Sequence, residues 1–393
     1  MKEGWERRKL GRVCEVIAGQ SPEGKYYNTD GTGMPFYQGK KDFGEKFIGS
    51  PTTWTSQVTK IARKGDIVMS VRAPVGPVNF VEDEVCIGRG LAGIRSKDAM
   101  NRDFLFYQLL FLQPEISGRE GAVFASINKS EIEELPIAVT TLPEQQRIVA
   151  ILDEAFEGIA IAKANAEKNL KNARQLFESH LNSVFSQRGE GWVEKRLYEV
   201  CDIQHGFPFK SEFFVTEGKY VVLTPGNFYE SGGYRDRGKK QKFYSGEIPS
   251  GYILDKGKLL VVMTEQAAGL LGSSILVPES DKFLHNQRLG LIKKKSKIPW
   301  SNDFFYHVFN TKYVRQEIHA SASGVKVRHT SPTKIGQVVV SFPSSVVEQQ
   351  RIVTTLNDLR IETQSLESIY QKKIEALDAL KKSILHQAFS GKL

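Results

Sequence analysis

The longest regular pattern in the chain is a row of apolar side chains that recurs every three or four residues. Steps of this size place side chains on one face of an α-helix. The first row comprises Ile148, Leu152, Ala155, Ile159, Ala162, Ala166, Leu170, Ala173, Phe177, Leu181 and Val184. A second row, 204 residues later, comprises Ile352, Leu356, Leu359, Thr363, Leu366, Tyr370, Ile374, Leu377, Lys381, Leu385 and Ala388. The pattern predicts two long helices, the first of about 64 Å.

Each predicted helix has an apolar stripe that would be exposed if the helix stood alone, so we expect the two helices to pair. If an internal two-fold axis relates them, they run antiparallel. A parallel pair would require the second globular segment to span the whole length of the helices, which suits a compact domain poorly. Lys381 interrupts the second stripe, and we expect the neighbouring Leu380 to take its place.

The segments before the two helices have a different pattern, which also repeats. A Trp-x-x-x-x-Leu-x-x-Val motif begins at Trp5 and returns at Trp192. Short β-branched runs follow, separated by Gly, Pro, Asn and Asp turns, and an aromatic-rich helix comes late in each segment. The chain is therefore predicted to be an α+β protein with internal pseudo-two-fold symmetry. It would have mixed α/β domains at 1–143 and 191–347 and helices at 144–190 and 348–393, which form an antiparallel coiled coil.

Composition narrows the possible classes of protein. The 393 residues have a net charge of +9, and 191–347 alone has +8, which favours a polyanionic partner. Three cysteines do not suggest a disulfide framework, and no Cys/His spacing suggests zinc. No apolar run is long enough to cross a bilayer, and the first residues lack the apolar core of a signal peptide. We expect a cytoplasmic protein with no membrane partner.

These residues together resemble the specificity subunit of type I restriction-modification systems. The duplicated Trp motif is similar to the start of that family's recognition domains. The sequence Glu-Gln-Gln-Arg-Ile-Val, at 144–149 and again at 348–353, is similar to the segment that opens each spacer helix. The ending at 385–393 also resembles the family. The resemblance covers the full length and identifies 1–143 and 191–347 as target recognition domains.

The resemblance implies a DNA-binding subunit that is not itself an enzyme. Its two domains would each read one part of a bipartite target in double-stranded DNA. Two modification (methyltransferase) subunits would bind S-adenosylmethionine and methylate adenine, so no cofactor is expected on this chain. Restriction subunits, which supply the motor and the nuclease, would join the same assembly.

A protein-binding scaffold and an autonomous enzyme are two other classes of protein that this sequence could represent. A coiled-coil scaffold whose two α/β domains bind proteins remains an alternative, which salt-dependent binding to random duplex DNA would distinguish. An autonomous methyltransferase or nuclease is disfavoured. The sequence lacks the Asn/Asp-Pro-Pro-Tyr/Phe motif and a Gly-rich cofactor loop, and the turn at 39–44 is followed by Glu45 where a phosphate-binding loop has Lys.

Candidate DNA contacts lie in loops at the turns of both halves. Arg and Gln can make paired hydrogen bonds to guanine and adenine, whereas Lys suits phosphates. In the first half the candidates are Lys40, Lys41, Arg72, Arg89, Ser126 and Asn128. In the second they are Arg235, Arg237, Lys239, Lys240, Gln266, Gln287, Arg288, Lys326, Arg328 and His329. No catalytic or metal-binding residue is predicted.

Overall fold

The computed structural model describes residues 4–117, 126–266 and 268–393. It divides into two compact units, one formed by 1–167 with 371–393 and the other by 168–370. Each long helix therefore contributes one part of its length to each unit.

The first globular half is built from short strands and short helices. Its strands are β1 Glu6–Lys9, β2 Cys14–Ala18, β3 Tyr27–Asn28, β4 Met34–Tyr37, β5 Trp54–Thr55, β6 Ile61–Ala62, β7 Ile67–Ser70, β8 Val78–Phe80, β9 Val85–Ile87, β10 Leu91–Ser96 and β11 Pro136–Val139. Its helices are α1 Leu10–Val13, α2 Arg102–Ile116 and α3 Lys129–Glu133, and the long helix α4 Leu142–Ser186 follows.

The second globular half has the same plan. Its strands are β12 Trp192–Arg196, β13 Cys201–His205, β14 Phe214–Val215, β15 Tyr220–Val222, β16 Phe243–Tyr244, β17 Ile253–Leu254, β18 Leu259–Val262, β19 Thr264–Glu265, β20 Ser274–Leu276, β21 Phe283–Leu284, β22 Leu289–Lys294, β23 Arg328–His329 and β24 Val339–Pro343. Its helices are α5 Leu197–Val200, α6 Asn302–Asn310, α7 Lys312–Ala320 and α8 Pro332–Gly336, and the long helix α9 Val346–Phe389 follows.

The sheets confirm the internal repeat, because their strand orders correspond. The order β2-β10-β7-β8 returns as β13-β22-β18-β20, and β3-β5-β4-β9-β6 returns as β14-β16-β15-β21-β17. In each five-stranded sheet the one parallel pair occupies the same place, β4 beside β9 and β15 beside β21. The predicted mixed α/β class is therefore confirmed for both halves.

Aromatic side chains close the core of each unit against a long helix. In the first unit Trp5 packs edge-on against Phe104 of α2, and Phe104 also contacts Phe389 near the end of α9. In the second unit Trp192 packs against Phe304 of α6, which contacts Phe185 near the end of α4. The duplicated tryptophan thus anchors the first strand of each half to the aromatic helix.

The long helices run antiparallel in both units. Early residues of α4 lie beside late residues of α9 in the first unit, where Lys163 pairs with Asp378. Later residues of α4 lie beside earlier residues of α9 in the second unit, where Arg174 pairs with Glu367. The prediction of an antiparallel pair is confirmed.

One expectation about the apolar stripe is wrong. Leu380 does not replace Lys381, because the leucine is 46% exposed. The Lys381 side chain instead lies over the Phe156 ring, with its Nζ 5.0 Å from the ring centroid and 3.5 Å from a carboxylate oxygen of Glu45. The apolar stem of Lys381 can cover the apolar stripe, while its ammonium group pairs with the Glu45 carboxylate.

Candidate nucleic-acid interface

Two loops of the first unit meet where the parallel strands β4 and β9 end. The backbone N–H of Gly88 donates to the carbonyl of Tyr37 at 2.8 Å. Gly90 lies so close to Gln38 that a Cβ on the glycine would be 2.2 Å from the Gln38 carbonyl oxygen. This close approach brings the loop with Lys40 and Lys41 beside the loop with Arg89, and all three of these side chains are exposed.

A third and a fourth segment join these loops. The N–H of Val71 donates to the carbonyl of Gly90, and Arg72 forms an isolated antiparallel bridge with Ser126. Both Arg72 and Ser126 are exposed. The sequence candidates of the first half, which lie far apart in the chain, therefore form one neighbourhood at the edge of the sheets.

Asn128 has a different role in this neighbourhood. Its side-chain oxygen accepts a hydrogen bond from the N–H of Glu131 at 3.0 Å, and the Glu131 carboxylate accepts one from the N–H of Asn128 at 2.7 Å. This reciprocal pair is a capping box that begins α3. The amide oxygen of Asn128 thus caps the N-terminus of α3.

The second unit repeats the arrangement with different side chains. The N–H of Leu223 donates to Leu284 O at 3.2 Å, so the loops after β15 and β21 start side by side. The N–H of Met263 donates to the carbonyl of Arg288, which is the bond that Val71 makes to Gly90 in the first unit. Gln287 and Arg288 are exposed in this loop.

The edge formed by β19 and β23 carries the next candidates. Thr264 lies opposite His329, and the Thr264 Oγ1 is 3.2 Å from the His329 Nδ1. Equivalent backbone bonds place Thr264 where the first unit has Arg72, and Gln266 lies two residues further along. Gln266, Lys326 and His329 are exposed.

Arg328 points into the protein, in contrast to its neighbours. Its guanidinium donates to the carbonyl of His319 at 2.7 Å and lies 3.5 Å from the Glu265 carboxylate. Glu265 is only 2% exposed, and its other oxygen accepts from the N–H groups of Leu270 and Leu271. Burial lowers the pKa of His319, so a neutral ring faces this arginine. Arg328 therefore ties β23 to a buried acid.

The basic loop at 235–240 is held by a buried amide. Asn227 exchanges two hydrogen bonds with Arg235, at 2.7 and 3.3 Å, and the Arg235 guanidinium lies over the ring of Tyr229. Arg237 is half-buried against Gly226. Arg235, Lys239 and Lys240 are exposed, so the loop presents three cations to solvent.

The turns that follow β2 and β13 are not among the sites predicted from the sequence. The Ser21 hydroxyl accepts a hydrogen bond from the N–H of Arg89 at 3.2 Å, which places Ser21 within the first cluster. Gly19 and Gly206 begin these turns, and a Cβ on either would be 2.2 Å from a carbonyl oxygen of the neighbouring loop. The two glycines are 187 residues apart, as are the two Trp motifs. This shared spacing is the signal in the sequence that could have indicated the turns.

The described residues give no indication of a metal centre or a membrane span. In those ranges no group of three or more His, Cys, Asp or Glu side chains could hold a metal ion. Nor does any helix in the same ranges have the length and apolar character to cross a membrane. The two exposed clusters are thus the main candidate site.

Comparison with known proteins identifies the family. The family model described as the type I restriction modification DNA specificity domain matches residues 2–172 and again residues 189–376. The chain belongs to this family, with one match to each half.

Two curated relatives match parts of the chain. A protein of Methanocaldococcus jannaschii, assigned by name as the MjaX specificity subunit of a type I restriction enzyme, is 38% identical over 177 residues. That match covers 44% of this chain and 41% of the relative. The type I restriction enzyme EcoBI specificity subunit of Escherichia coli is 27% identical over 223 residues, which cover 56% of this chain and 43% of the relative. The chain thus spans about two fifths of the length of these curated relatives.

Solved structures share the fold over the whole chain. A chain from a structure titled as the basis of complex assembly and conformational transition of the type I R-M system has a TM-score of 0.81 and 20% identity, and covers 100% of this chain and 99% of its own. The HsdS subunit from Thermoanaerobacter tengcongensis has a TM-score of 0.61 and 20% identity, with 100% and 98% covered. At this level of identity the likeness concerns the fold.

Proposed function

We propose that the chain is the non-catalytic specificity subunit of a type I restriction-modification complex. Each half reads one part of a bipartite target in double-stranded DNA. Two modification subunits, which carry S-adenosylmethionine, methylate adenine at the target, and restriction subunits act on unmodified DNA. The assembly works in the cytoplasm.

One observation carries this proposal. Both halves present exposed cationic and polar side chains at the same edge of the same sheets, although the side chains themselves differ. A duplicated scaffold with different side chains at equivalent places suits a protein that reads two different sequences with one geometry. Membership of the DNA specificity domain family and the names of the relatives support the same conclusion.

The exposure and contacts of the candidate residues support a division by role. We assign DNA contact to the exposed side chains Lys40, Lys41, Arg72, Arg89, Ser126, Arg235, Lys239, Lys240, Gln266, Gln287, Arg288, Lys326 and His329. Asn128, Arg237 and Arg328 are assigned to positioning, because their side chains cap a helix or pack inward. The four domain ranges given by the sequence, 1–143, 144–190, 191–347 and 348–393, remain our proposal for the functional divisions.

The test combines the purified chain with its modification subunits and labelled S-adenosylmethionine. We expect methyl incorporation into DNA only when both are present, and incorporation by this chain alone would overturn the proposal. The chain should also bind random duplex DNA less tightly as salt rises, which a scaffold that binds only proteins would not do. Arg89→Ala should weaken binding about tenfold, as the loss of one good base contact would. Arg63→Ala, an exposed arginine that pairs with Glu84, is the matched control.

A further inference from the structure

Ion pairs between the long helices have the same polarity in both units. In the first unit Lys163 of α4 pairs with Asp378 of α9, with Nζ and Oδ1 2.7 Å apart. In the second unit Arg174 of α4 pairs with Glu367 of α9, with Nε and Oε2 3.1 Å apart. In both pairs α4 supplies the cation and α9 the anion.

The repeat shows that these two pairs are counterparts. The two apolar stripes correspond at a spacing of 204 residues, so Lys163 of α4 corresponds to Glu367 of α9. By the same spacing Arg174 corresponds to Asp378. Equivalent positions in the two helices therefore carry opposite charges.

A second set of contacts follows the same rule. Lys381 of α9 lies over the ring of Phe156 in the first unit, with 5.0 Å from Nζ to the ring centroid. Arg360 of α9 lies over the ring of Phe177 in the second unit, with 5.4 Å from Cζ to the centroid. Phe156 corresponds to Arg360 and Phe177 to Lys381 at the spacing of 204. Here α4 always supplies the aromatic ring and α9 the cation.

The apolar stripe cannot choose between partners, because it is nearly the same in both helices. An antiparallel pair of two α4 helices in the same register would put Lys163 against Arg174 in both places. A pair of two α9 helices would put Glu367 against Asp378. It would also put Arg360 against Lys381. Both ion pairs therefore become repulsions in either pair of like helices, and the two cation–ring contacts become a repulsion in the pair of two α9 helices.

We infer that the two charged positions on each long helix, together with Arg360 and Lys381 of α9, form a pairing code, by which α4 accepts α9 and rejects the α4 of a second copy of the chain. Specificity of this kind arises from the repulsive contacts of the wrong pair as much as from the attractive contacts of the right one. One exposed ion pair stabilises little, and these side chains are 34–61% exposed. The difference in interaction free energy between a helix pair with two attractive contacts and one with two repulsive contacts is larger than the contribution of one ion pair. The code keeps one copy of each recognition half in each assembly, so that two identical halves are not combined.

The code can be tested in the full chain, because substitutions can recreate the contacts of like helices. Glu367→Lys with Asp378→Arg gives α9 the charges of α4, and Lys163→Glu with Arg174→Asp gives α4 the charges of α9. We expect each double variant to lower the Tm by about 2–4 °C at low salt. The variant with all four substitutions restores opposite charges with the roles exchanged. Its Tm should return to within about 1 °C of the wild type.

Salt dependence and a control separate the code from other effects. At about 1 M salt the decrease in Tm of the double variants should largely disappear, since exposed charges are then screened. Lys168→Glu with Lys171→Glu is the matched control for the α4 double variant, because it makes the same change of net charge at exposed positions of α4. If the four-substitution variant showed the sum of the two losses, local helix effects would explain the data and the code would be refuted. Unchanged Tm in both double variants would refute it too.

Discussion

The side-chain oxygen of Gln145 accepts a hydrogen bond from the backbone N–H of Asn101 at 2.7 Å. The Gln145 Nε2 donates to the carbonyls of Ala99 and Thr140, at 3.1 and 2.8 Å, and the side chain is completely buried. One amide thus joins the start of α4 to the loop that begins α2. Gln349 repeats the arrangement in the second unit, where its oxygen accepts from the N–H of Ser301.

Gln145→Ala should lower the free energy of unfolding by about 2–4 kcal/mol, because three backbone groups lose the partner that this buried amide supplies. Urea denaturation of the full chain measures this. Gln146→Ala removes the exposed neighbour of the same residue type and should change stability by less than about 0.5 kcal/mol. Equal losses in the two variants would contradict a role for the buried amide.

Stability should fall as the solution becomes mildly acidic. Burial lowers the pKa of His285 and of His307 to about 4, below the usual histidine value of 6.5. The unfolded chain therefore binds more protons than the folded chain between these values, so stability is full above pH 6.5 and is lost as the pH falls toward 4. The loss should approach about 3 kcal/mol for each histidine, at about 1.4 kcal/mol per pH unit.

Urea midpoints at pH 7 and pH 5 measure this dependence. His307→Gln should make the stability less dependent on pH, even if it lowers the stability at pH 7. His180→Gln, at an exposed position, should leave the pH dependence as it is. A pH dependence that His307→Gln leaves intact would be inconsistent with the explanation.

Arg328 and His329 should differ in their effects although they are neighbours. Arg328→Ala leaves the buried Glu265 carboxylate without its nearest cation and should destabilise the second unit by about 3–5 kcal/mol. His329→Ala removes an exposed side chain and should reduce only DNA affinity. Thermal unfolding and DNA binding, measured on both variants, distinguish these outcomes. A stable Arg328→Ala protein with altered base preference would assign Arg328 to base reading instead.

Replacement of residues 1–143 by the corresponding domain of another specificity subunit should change one part of the DNA target. The other part should stay the same, because contacts in separately packed units are nearly independent. Methylome sequencing of cells that carry the hybrid measures both parts at once. Changes in both parts would show that the two halves do not read DNA separately.

The features that the sequence predicted well are those with a local period or a duplication. The long helices follow from apolar steps of three and four, and equivalent strands follow from the repeated motifs. The contacts of Lys381 could not be predicted, because its partner Glu45 lies 336 residues away in the chain. The sequence also could not predict that the Arg328 side chain points inward, because this direction depends on the burial of Glu265.

The positions of the loops were predictable only in part. Basic and polar residues at turns marked the candidates, but their grouping depends on close backbone approaches such as that of Gly90 to Gln38. A turn residue also has no visible role in the sequence until its hydrogen bonds are known. Asn128 is predicted to contact DNA, and the structure adds that its side-chain oxygen caps α3.

The packing of Phe389 against Phe104 has a consequence for synthesis of the protein on the ribosome. Leu385, Ala388 and Phe389 complete the core of the first unit, yet they are translated after the whole second unit. The second unit is one continuous stretch of chain and can fold as soon as it emerges. The half that is made first is therefore the half that is finished last, and until then it exposes apolar surface that nascent-chain chaperones would bind.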